Sequence, residues 1–281
     1  MNTLSNGLYI VSTPIGNLED ITLRSLTVLK KSDIILCEDT RRSLKLLNHF
    51  NIKKKLISYH KFNEKKELSK IIEYLNEGKI LSLISDAGTP ALSDPGSLLI
   101  NECIKKDIKI IPVPGASSIT SAMSISGFED KFIFYGFLPK TEKEVNKILS
   151  KLQKNNLSLI FFIPGIKINF YLKLFKLYFI GRNILIAKEI TKIHETFYRS
   201  SIESIKPFKT TVKGELTVVI SKEYYKNENS MLESDIVKEA TVYLKKYSLK
   251  DVVELISKKE KVSKNKVYKI CLKIKNNEKN N

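Results

Sequence analysis

The chain has 281 residues, 42% of them hydrophobic, and a formal charge of +18. That length and apolar content exclude a disordered chain and fit two ordinary domains with a small appendage. The densest apolar stretch, Leu157 to Ile166, is shorter than the roughly 18 consecutive apolar residues of a membrane span and is broken by Pro164 and Gly165.

The first residues, MNTLSNGLYIVSTPIGN, lack a basic segment followed by an apolar one, so no secretory signal is expected. Cys37, Cys103 and Cys271 are scattered and odd in number, which reads as reduced thiols in a cytoplasmic protein. His49, His60 and His194 are isolated as well, and no metal site is expected. The positive charge is nearly all lysine, with arginine only at positions 24, 41, 42, 182 and 199. It is spread as +4 over residues 1–110, +8 over 111–221 and +6 over 222–281. Such a distribution permits an RNA partner without proving one.

In chain order, Gly7–Val11 reads as a strand that breaks at Ser12-Thr13-Pro14-Ile15-Gly16-Asn17. Asp20 is placed to cap a helix over Ile21–Lys31. A short strand, Asp33–Cys37, leads to Glu38-Asp39-Thr40-Arg41-Arg42, where Asp39 or Thr40 would cap a helix with Leu44, Leu47 and Phe50 inside. Leu56–Ser58 fits a short edge strand, and Glu64–Asn76 a helix closed by Gly78.

The run Ile80–Ile84 is short, apolar and rich in isoleucine and leucine, the signature of a strand buried on both faces of a parallel sheet. The loop after it, Ser85 to Gly96, is built of small residues, two prolines and two glycines, which let a ligand approach the backbone. A plain alternative makes Asp94 an N-cap and Pro95 the first helical residue. Ser97–Lys105 then reads as a helix and Ile108–Val113 as a strand. Pro114-Gly115-Ala116-Ser117-Ser118 is a third small-residue loop, before a helix over Ile119–Ser126. Strand–helix alternation over 7–126 predicts a parallel α/β sheet whose three loops share one rim.

A second α/β region, more antiparallel, is expected from strands at Phe132–Gly136, Ser158–Ile163, Asn183–Ala187 and Glu215–Ser221, with helices over Thr141–Gln153 and Lys167–Leu177. Asn227–Ser230 reads as a polar linker. Three short amphipathic helices follow, about Asp235–Lys246, Leu249–Ser257 and Lys264–Lys275, with Ser248 and Asp251 making a capping-box-like start and Ser263 capping the last. Without base-reading arginines, such a unit suits docking or RNA-backbone contact better than sequence reading. The expected domains are 1–115, 116–226 and 227–281.

The loops STPIGNLEDIT (12–22), SDAGTPALSDPG (85–96) and PVPGASS (112–118), in this order, resemble those of the tetrapyrrole-methylase superfamily of S-adenosylmethionine-dependent methyltransferases. CEDTRRSLKLL (37–47), FYGFLPK (134–140), KEITKIHET (188–196) and KGELTVVI (213–220) make the likeness closest to the ribosomal RNA small subunit methyltransferase I family. The resemblance covers nearly the whole chain, including the helical tail. It implies two α/β domains with S-adenosylmethionine in the cleft between them, usually in a homodimer. The implied reaction is 2′-O-methylation of a cytidine ribose in the decoding region of 16S ribosomal RNA within the 30S subunit, with neither membrane nor DNA as partner.

Carried onto this chain, cofactor contacts fall to Pro14, Ile15, Gly16, Asp86, Gly88, Thr89, Ser118 and Ile119. Candidates for polar work are Glu38, Asp39, Arg41, Lys188, Glu189 and Glu215, with no base singled out. Where relatives carry Glu-Ser-Pro-His-Arg, this chain has Ile163-Pro164-Gly165-Ile166-Lys167. Two other readings stay open: a small-subunit RNA-binding protein with weakened catalysis, and a methyltransferase of precorrin-type tetrapyrroles.

Overall fold

The computed structural model describes residues 4–223, 228–259 and 264–279. Its contacts divide the chain into two compact units, Met1–Lys222 and Glu223–Asn281.

The first unit begins with a sheet of five parallel strands, β1 (Gly7–Val11), β2 (Ile34–Cys37), β3 (Lys55–Ser58), β4 (Ile80–Ile84) and β5 (Ile110–Val113), in the order β3-β2-β4-β1-β5. The apolar run Ile80–Ile84 takes the central place, pairing in parallel with β1 and β2. Helices α1 (Leu23–Lys31), α2 (Thr40–His49), α3 (Glu64–Asn76) and α4 (Ser97–Lys105) make the crossovers. One face of the sheet packs Leu8, Leu36, Leu81 and Leu83 against Ile71 of α3 and Leu99 of α4. The other packs Tyr9, Val11 and Ile35 against Val28, Leu29 and Leu47 of α1 and α2. The one polar side chain inside β4, Ser82, is satisfied by the Ser32 hydroxyl at 2.6 Å.

Local capping departs from expectation at two helices. Asp20 closes a short 3-10 turn, and Thr22 caps α1 by accepting from the Ser25 N–H. Asp94 does not cap α4: Gly96 holds that position at φ 136°, and its N–H donates to the Glu64 carboxylate at 2.9 Å. A carboxylate from α3 thereby supplies the N-terminal charge, and Asp94 is left to face elsewhere. Asp39 does cap α2, accepting from the Arg41 N–H at 2.9 Å. Leu44, expected inside, is 45% exposed, because α2 turns Ser43 and Leu47 inward.

The second sheet holds β6 (Phe132–Phe137), β7 (Ser158–Pro164), β8 (Asn183–Lys188), β9 (Thr196–Ser201) and β10 (Glu215–Ile220), in the order β6-β7-β10-β8-β9. Only β6 and β7 run parallel. Strand β9, TFYRSS, is absent from the sequence reading. It lies at the sheet edge, half-buried, and its polar side chains carry no alternation, so its pairing with β8 defines it. Helices α6 (Glu142–Leu152) and α7 (Ile168–Tyr178) cover one face through Val145, Leu149, Tyr171 and Phe175. Helix α5 (Ser118–Ser124) covers the other, seating Ile119 and Ala122 on Ile160, Leu185 and Val219. The chain therefore leaves the first sheet at β5 and immediately contributes a helix to the second.

The second unit is α8 (Glu228–Tyr243), α9 (Leu249–Lys259) and α10 (Lys264–Lys279) around Ile236, Ala240, Val252, Ile256, Val267 and Cys271. Ser248 accepts from the Asp251 N–H and its hydroxyl donates to the Asp251 carboxylate at 2.6 Å, a start like the expected capping box. Positions 228–230, read as linker, belong to the start of α8. Asn227 and Ser263 lie outside the described residues.

Arg182 is the deepest cation of the first unit, 2% exposed. Its guanidinium donates to the carbonyls of Gln153, Asn155, Leu157 and Ser221, tying the end of α6 to the edges of β7 and β10. Arg182→Met removes these donors and leaves buried carbonyls unpaired, a loss of roughly 2–4 kcal/mol. A fall of about 5–12 °C in the melting midpoint of the full chain is expected.

Candidate functional site

The site is assembled from backbone outward. Thr13 and Gly88 exchange two hydrogen bonds, Thr13 N–H to Gly88 O at 2.9 Å and Gly88 N–H to Thr13 O at 3.0 Å. This bridge joins the loop after β1 to the loop after β4, and the hydroxyls of Ser12 and Thr89 meet beside it at 3.0 Å. Gly88 stands at φ 81°, and a Cβ there would sit 3.3 Å from Ile15 Cγ2 and 3.8 Å from the Ala116 carbonyl. The loop after β5 closes from the third side: a Cβ on Gly115 would lie 2.9 Å from Ser12 Cβ. The three small-residue loops do converge, at the carboxyl ends of β1, β4 and β5.

Between them and the second sheet lies a cavity of about 710 Å³. Ile15, Ala87, Gly88, Thr89 and Ser117–Ile119 line one wall, and Phe137, Phe162, Ala187, Ile190 and Thr217 another. Of the eight residues assigned to the cofactor by resemblance, Ile15, Asp86, Gly88, Thr89, Ser118 and Ile119 line this cavity. Pro14 is buried behind its loop. Gly16 serves the closure instead: a Cβ there would lie 2.6 Å from Lys192 Cγ and 2.7 Å from both Ile190 O and Thr191 Oγ1. The neighbouring Asn17 N–H donates to Thr191 Oγ1 at 3.0 Å, so the first loop docks on the segment after β8. In that segment Glu189 and Thr191 adopt left-handed φ of 51° and 65°.

The polar candidates separate clearly. Glu38, Glu189 and Glu215 line the cavity, and Lys188 does not. Asp39 and Arg41 do not either, for they pair with each other at 2.9 Å on the surface, where Arg41 is 86% exposed. The Arg41 guanidinium and N–H bonds hold the Asp39 carboxyl at about 2. Arg42, one residue further on, reaches the cavity instead and donates to Asp86 Oδ2 at 3.0 Å, while the Asp39 N–H donates to Asp86 Oδ1 at 3.3 Å.

Among the lining residues that are not site candidates in the sequence, which include Arg42, Lys192, Phe137 and Phe162, Asp94 is the carboxylate; a capping role is its plain alternative there. Its loop is held in an unusual path, with Ala91 at φ 65° and Ser93 at φ 69°. The Ser93 hydroxyl presses on the β-bulge of β6, 2.7 Å from where a Cβ on Gly136 would lie. Burial, reinforced by the nearby Glu38 charge, pushes the Asp94 carboxyl up to about 6, with the Ser85 hydroxyl partly opposing. Burial also raises Glu38, with Asp86 adding to it. In all, Glu38, Asp86, Asp94, Glu189 and Glu215 face the cavity against the cations Arg42 and Lys192. A protein of net charge +18 thus surrounds this cavity with an excess of carboxylates, an environment favouring a cationic ligand.

The divergent segment Ile163–Lys167 contributes nothing to the lining. Ile163 is fully buried on the opposite face of the second sheet, among the α6 and α7 side chains. Gly165 N–H donates to the Gly214 carbonyl at 2.7 Å, and a Cβ on Gly165 would sit 2.6 Å from the Val212 carbonyl. Ile166 points outward, 76% exposed.

Comparison with known proteins agrees with this arrangement. The family model described as Tetrapyrrole (Corrin/Porphyrin) Methylases matches residues 7–206. The ribosomal RNA small subunit methyltransferase I of Rickettsia prowazekii is 41% identical over 276 residues, covering 96% of this chain and 98% of the relative. The chain belongs to the tetrapyrrole methylases, in the ribosomal RNA small subunit methyltransferase I family. A relative of the same name from Thermotoga maritima is 45% identical over 217 residues, 76% of this chain and 97% of its own length, so that its whole chain is only about 224 residues long. The fold also matches a crystal structure of uroporphyrin-III C-methyltransferase from Thermus thermophilus complexed with S-adenyl homocysteine, at 14% identity and a TM-score of 0.56, covering 76% of this chain and 97% of that one.

Gly88 lines the cavity at a position that tolerates a side chain poorly. A branched side chain there meets Ile15, projects between the loops and strains a left-handed backbone. Gly88→Val combined with Asp86→Ala is expected to weaken S-adenosylmethionine binding at least tenfold in calorimetry of the full chain.

Proposed function

We propose that this chain is an S-adenosylmethionine-dependent methyltransferase that modifies a cytidine 2′-hydroxyl of small-subunit ribosomal RNA. The observation that carries the reading is the convergence of three small-residue loops on an acidic cavity in a chain of this family. Its volume of about 710 Å³ lies within the range of small-molecule and cofactor sites. The missing side chain at Gly88, the small residues Ala87, Ser117 and Ser118, and the carboxylate excess fit a cationic nucleoside. Ile15, Gly88, Thr89, Ser118 and Ile119 would hold it, with Asp86 fixed in place by Arg42 and the Asp39 N–H.

When bound, S-adenosylmethionine supplies a methyl group on a positively charged sulfur. The chain's own contribution is position, dryness and proton acceptance. Phe137, Phe162, Leu92 and Ile190 present apolar surface that keeps water from the reacting centre. An alcohol must lose its proton as it attacks, and Asp94 is the carboxylate we assign to receive it. Arg42 pairs with Asp86 and leaves Asp94 without a bonded cation among the described residues. A carboxyl at about 6 is ionised at neutral pH yet more basic than an ordinary aspartate.

Since no residue of Ile163–Lys167 lines the cavity, the difference there from the charged segment that the family resemblance implies leaves the chemistry intact in this reading. The thiols of Cys37, Cys103 and Cys271 are free and buried, which suits a cytoplasmic protein. No described helix is long and apolar enough to cross a membrane. A homodimer is the assembly we expect, to be read by sedimentation.

The direct test is transfer of labelled methyl to 30S subunits lacking the modification, followed by mapping of the labelled nucleotide. Label on a decoding-region ribose is the expected result. Absence of label with cofactor binding intact refutes the proposed acceptor. The role of Asp94 is read in the pH profile. As the free base is required, kcat should rise with pH through about 6 and level off above it. Asp94→Asn should abolish that inflection and lower kcat by roughly 10²–10⁴, with cofactor affinity retained.

A further inference from the structure

An acidic cavity repels a phosphate backbone, so affinity for RNA has to come from surface outside it. The helical unit offers such a surface, and its charge is sorted. Residues 228–243, α8, hold one lysine and four acidic residues, whereas residues 249–279 hold ten lysines and four acidic residues. Compositional bias toward lysine would spread the charge over all three helices; here it is concentrated on two. On α10 the residues Val267, Ile270 and Cys271 face inward, which turns Tyr268, Lys269 and Lys273 outward. Lys250, Lys269, Lys273 and Lys275 are exposed and make no ion pair among the described residues.

Of these lysines, Lys250 lines a groove of about 360 Å³ together with Leu249, Val253, Glu254, Lys264 and Tyr268, and Lys269 and Lys273 stand on the exposed face of the same helix as Tyr268. Tyr268 is 45% exposed. An aromatic ring at an apolar slot, with the unpaired ammonium of Lys250 in its lining and those of Lys269 and Lys273 on the exposed face of the same helix, is an arrangement that can stack a base while holding its phosphates. The unit is also separable from the family's core, since a relative of the same name is about 224 residues long, close to the length of Met1–Lys222 alone.

We infer that the α9–α10 face is a docking surface for single-stranded RNA: a base stacks on Tyr268 beside the groove, and Lys250, Lys269 and Lys273 hold the phosphates. It adds substrate affinity rather than chemistry. This inference rests on the reading of ribosomal RNA as the acceptor. A lipid surface would use the lysines but not a stacking slot, and the variants below separate the two.

Using the full chain, Lys269→Glu with Lys273→Glu is expected to lower affinity for 30S subunits or a single-stranded 16S fragment at least tenfold at 100 mM salt. The slope of log K against log salt should become shallower by about 1–2. Tyr268→Ala should weaken RNA binding about tenfold and Tyr268→Phe should not, because stacking needs the ring alone. The KM for 30S subunits should rise in these variants, with kcat and S-adenosylmethionine affinity unchanged. Circular dichroism and melting verify that the helices persist, and Lys143→Glu with Lys147→Glu on α6 serves as the charge control. RNA affinity within twofold of wild type, an equal loss from the control pair, or lost binding to phosphatidylserine vesicles with RNA binding intact would each overturn the inference. Failure of the wild-type chain to methylate 30S subunits would instead refute the proposed function, and the RNA-binding measurements report on this face independently of turnover.

Discussion

The architecture depends on one reciprocal pair of backbone hydrogen bonds, between Thr13 and Gly88. Parallel strands place their carboxyl ends on one rim, but loops there are free to diverge unless something binds them. The bridge makes the loops after β1 and β4 a single surface, and Ser12, Thr89 and Gly115 extend it. Side chains could not substitute for it, because the ligand-facing side must stay open. Gly88 meets both demands, accepting a φ of 81° and leaving space where a Cβ would stand.

The second sheet is joined to this rim by contacts of equal tightness. Gly16 nests against Ile190, Thr191 and Lys192, and Ser93 presses on the bulge at Gly136. Helix α5 follows the third loop directly and seats Ile119 and Ala122 on β7, β8 and β10. The cavity is therefore a product of packing between sheets, and the left-handed residues Ala91, Ser93, Glu189 and Thr191 cluster around it. Strain of that kind persists only where surrounding contacts enforce it.

Electrostatics divides the labour further. The cavity collects carboxylates, one pushed up to about 6 by burial, inside a chain of net charge +18. The lysines of α9 and α10 lie on exposed helix faces, where solvation costs nothing and a polyanion can reach them. In the proposed reading, two ligands of opposite charge, a sulfonium nucleoside and an RNA strand, would find complementary surfaces on different parts of one molecule.

The local pattern of residues determined a good deal. Apolar runs such as Ile80–Ile84 announce a buried parallel strand, because only β-rich stretches of that length satisfy both faces of a sheet. The small-residue loops, the Asp39 cap and the capping-box-like start at Ser248 and Asp251 are equally local and are found where their chemistry places them. What only tertiary structure decided is which side chains meet. Strand β9 exists because β8 offers it an edge. Arg42 rather than Arg41 reaches Asp86 because α2 starts at Thr40 and turns its neighbour outward. Asp94 enters the cavity because Glu64, thirty-two positions away from Gly96, takes the capping role. A carboxylate's basicity and partners depend on burial and on charges brought near by folding, and neither is encoded in its immediate neighbours along the chain.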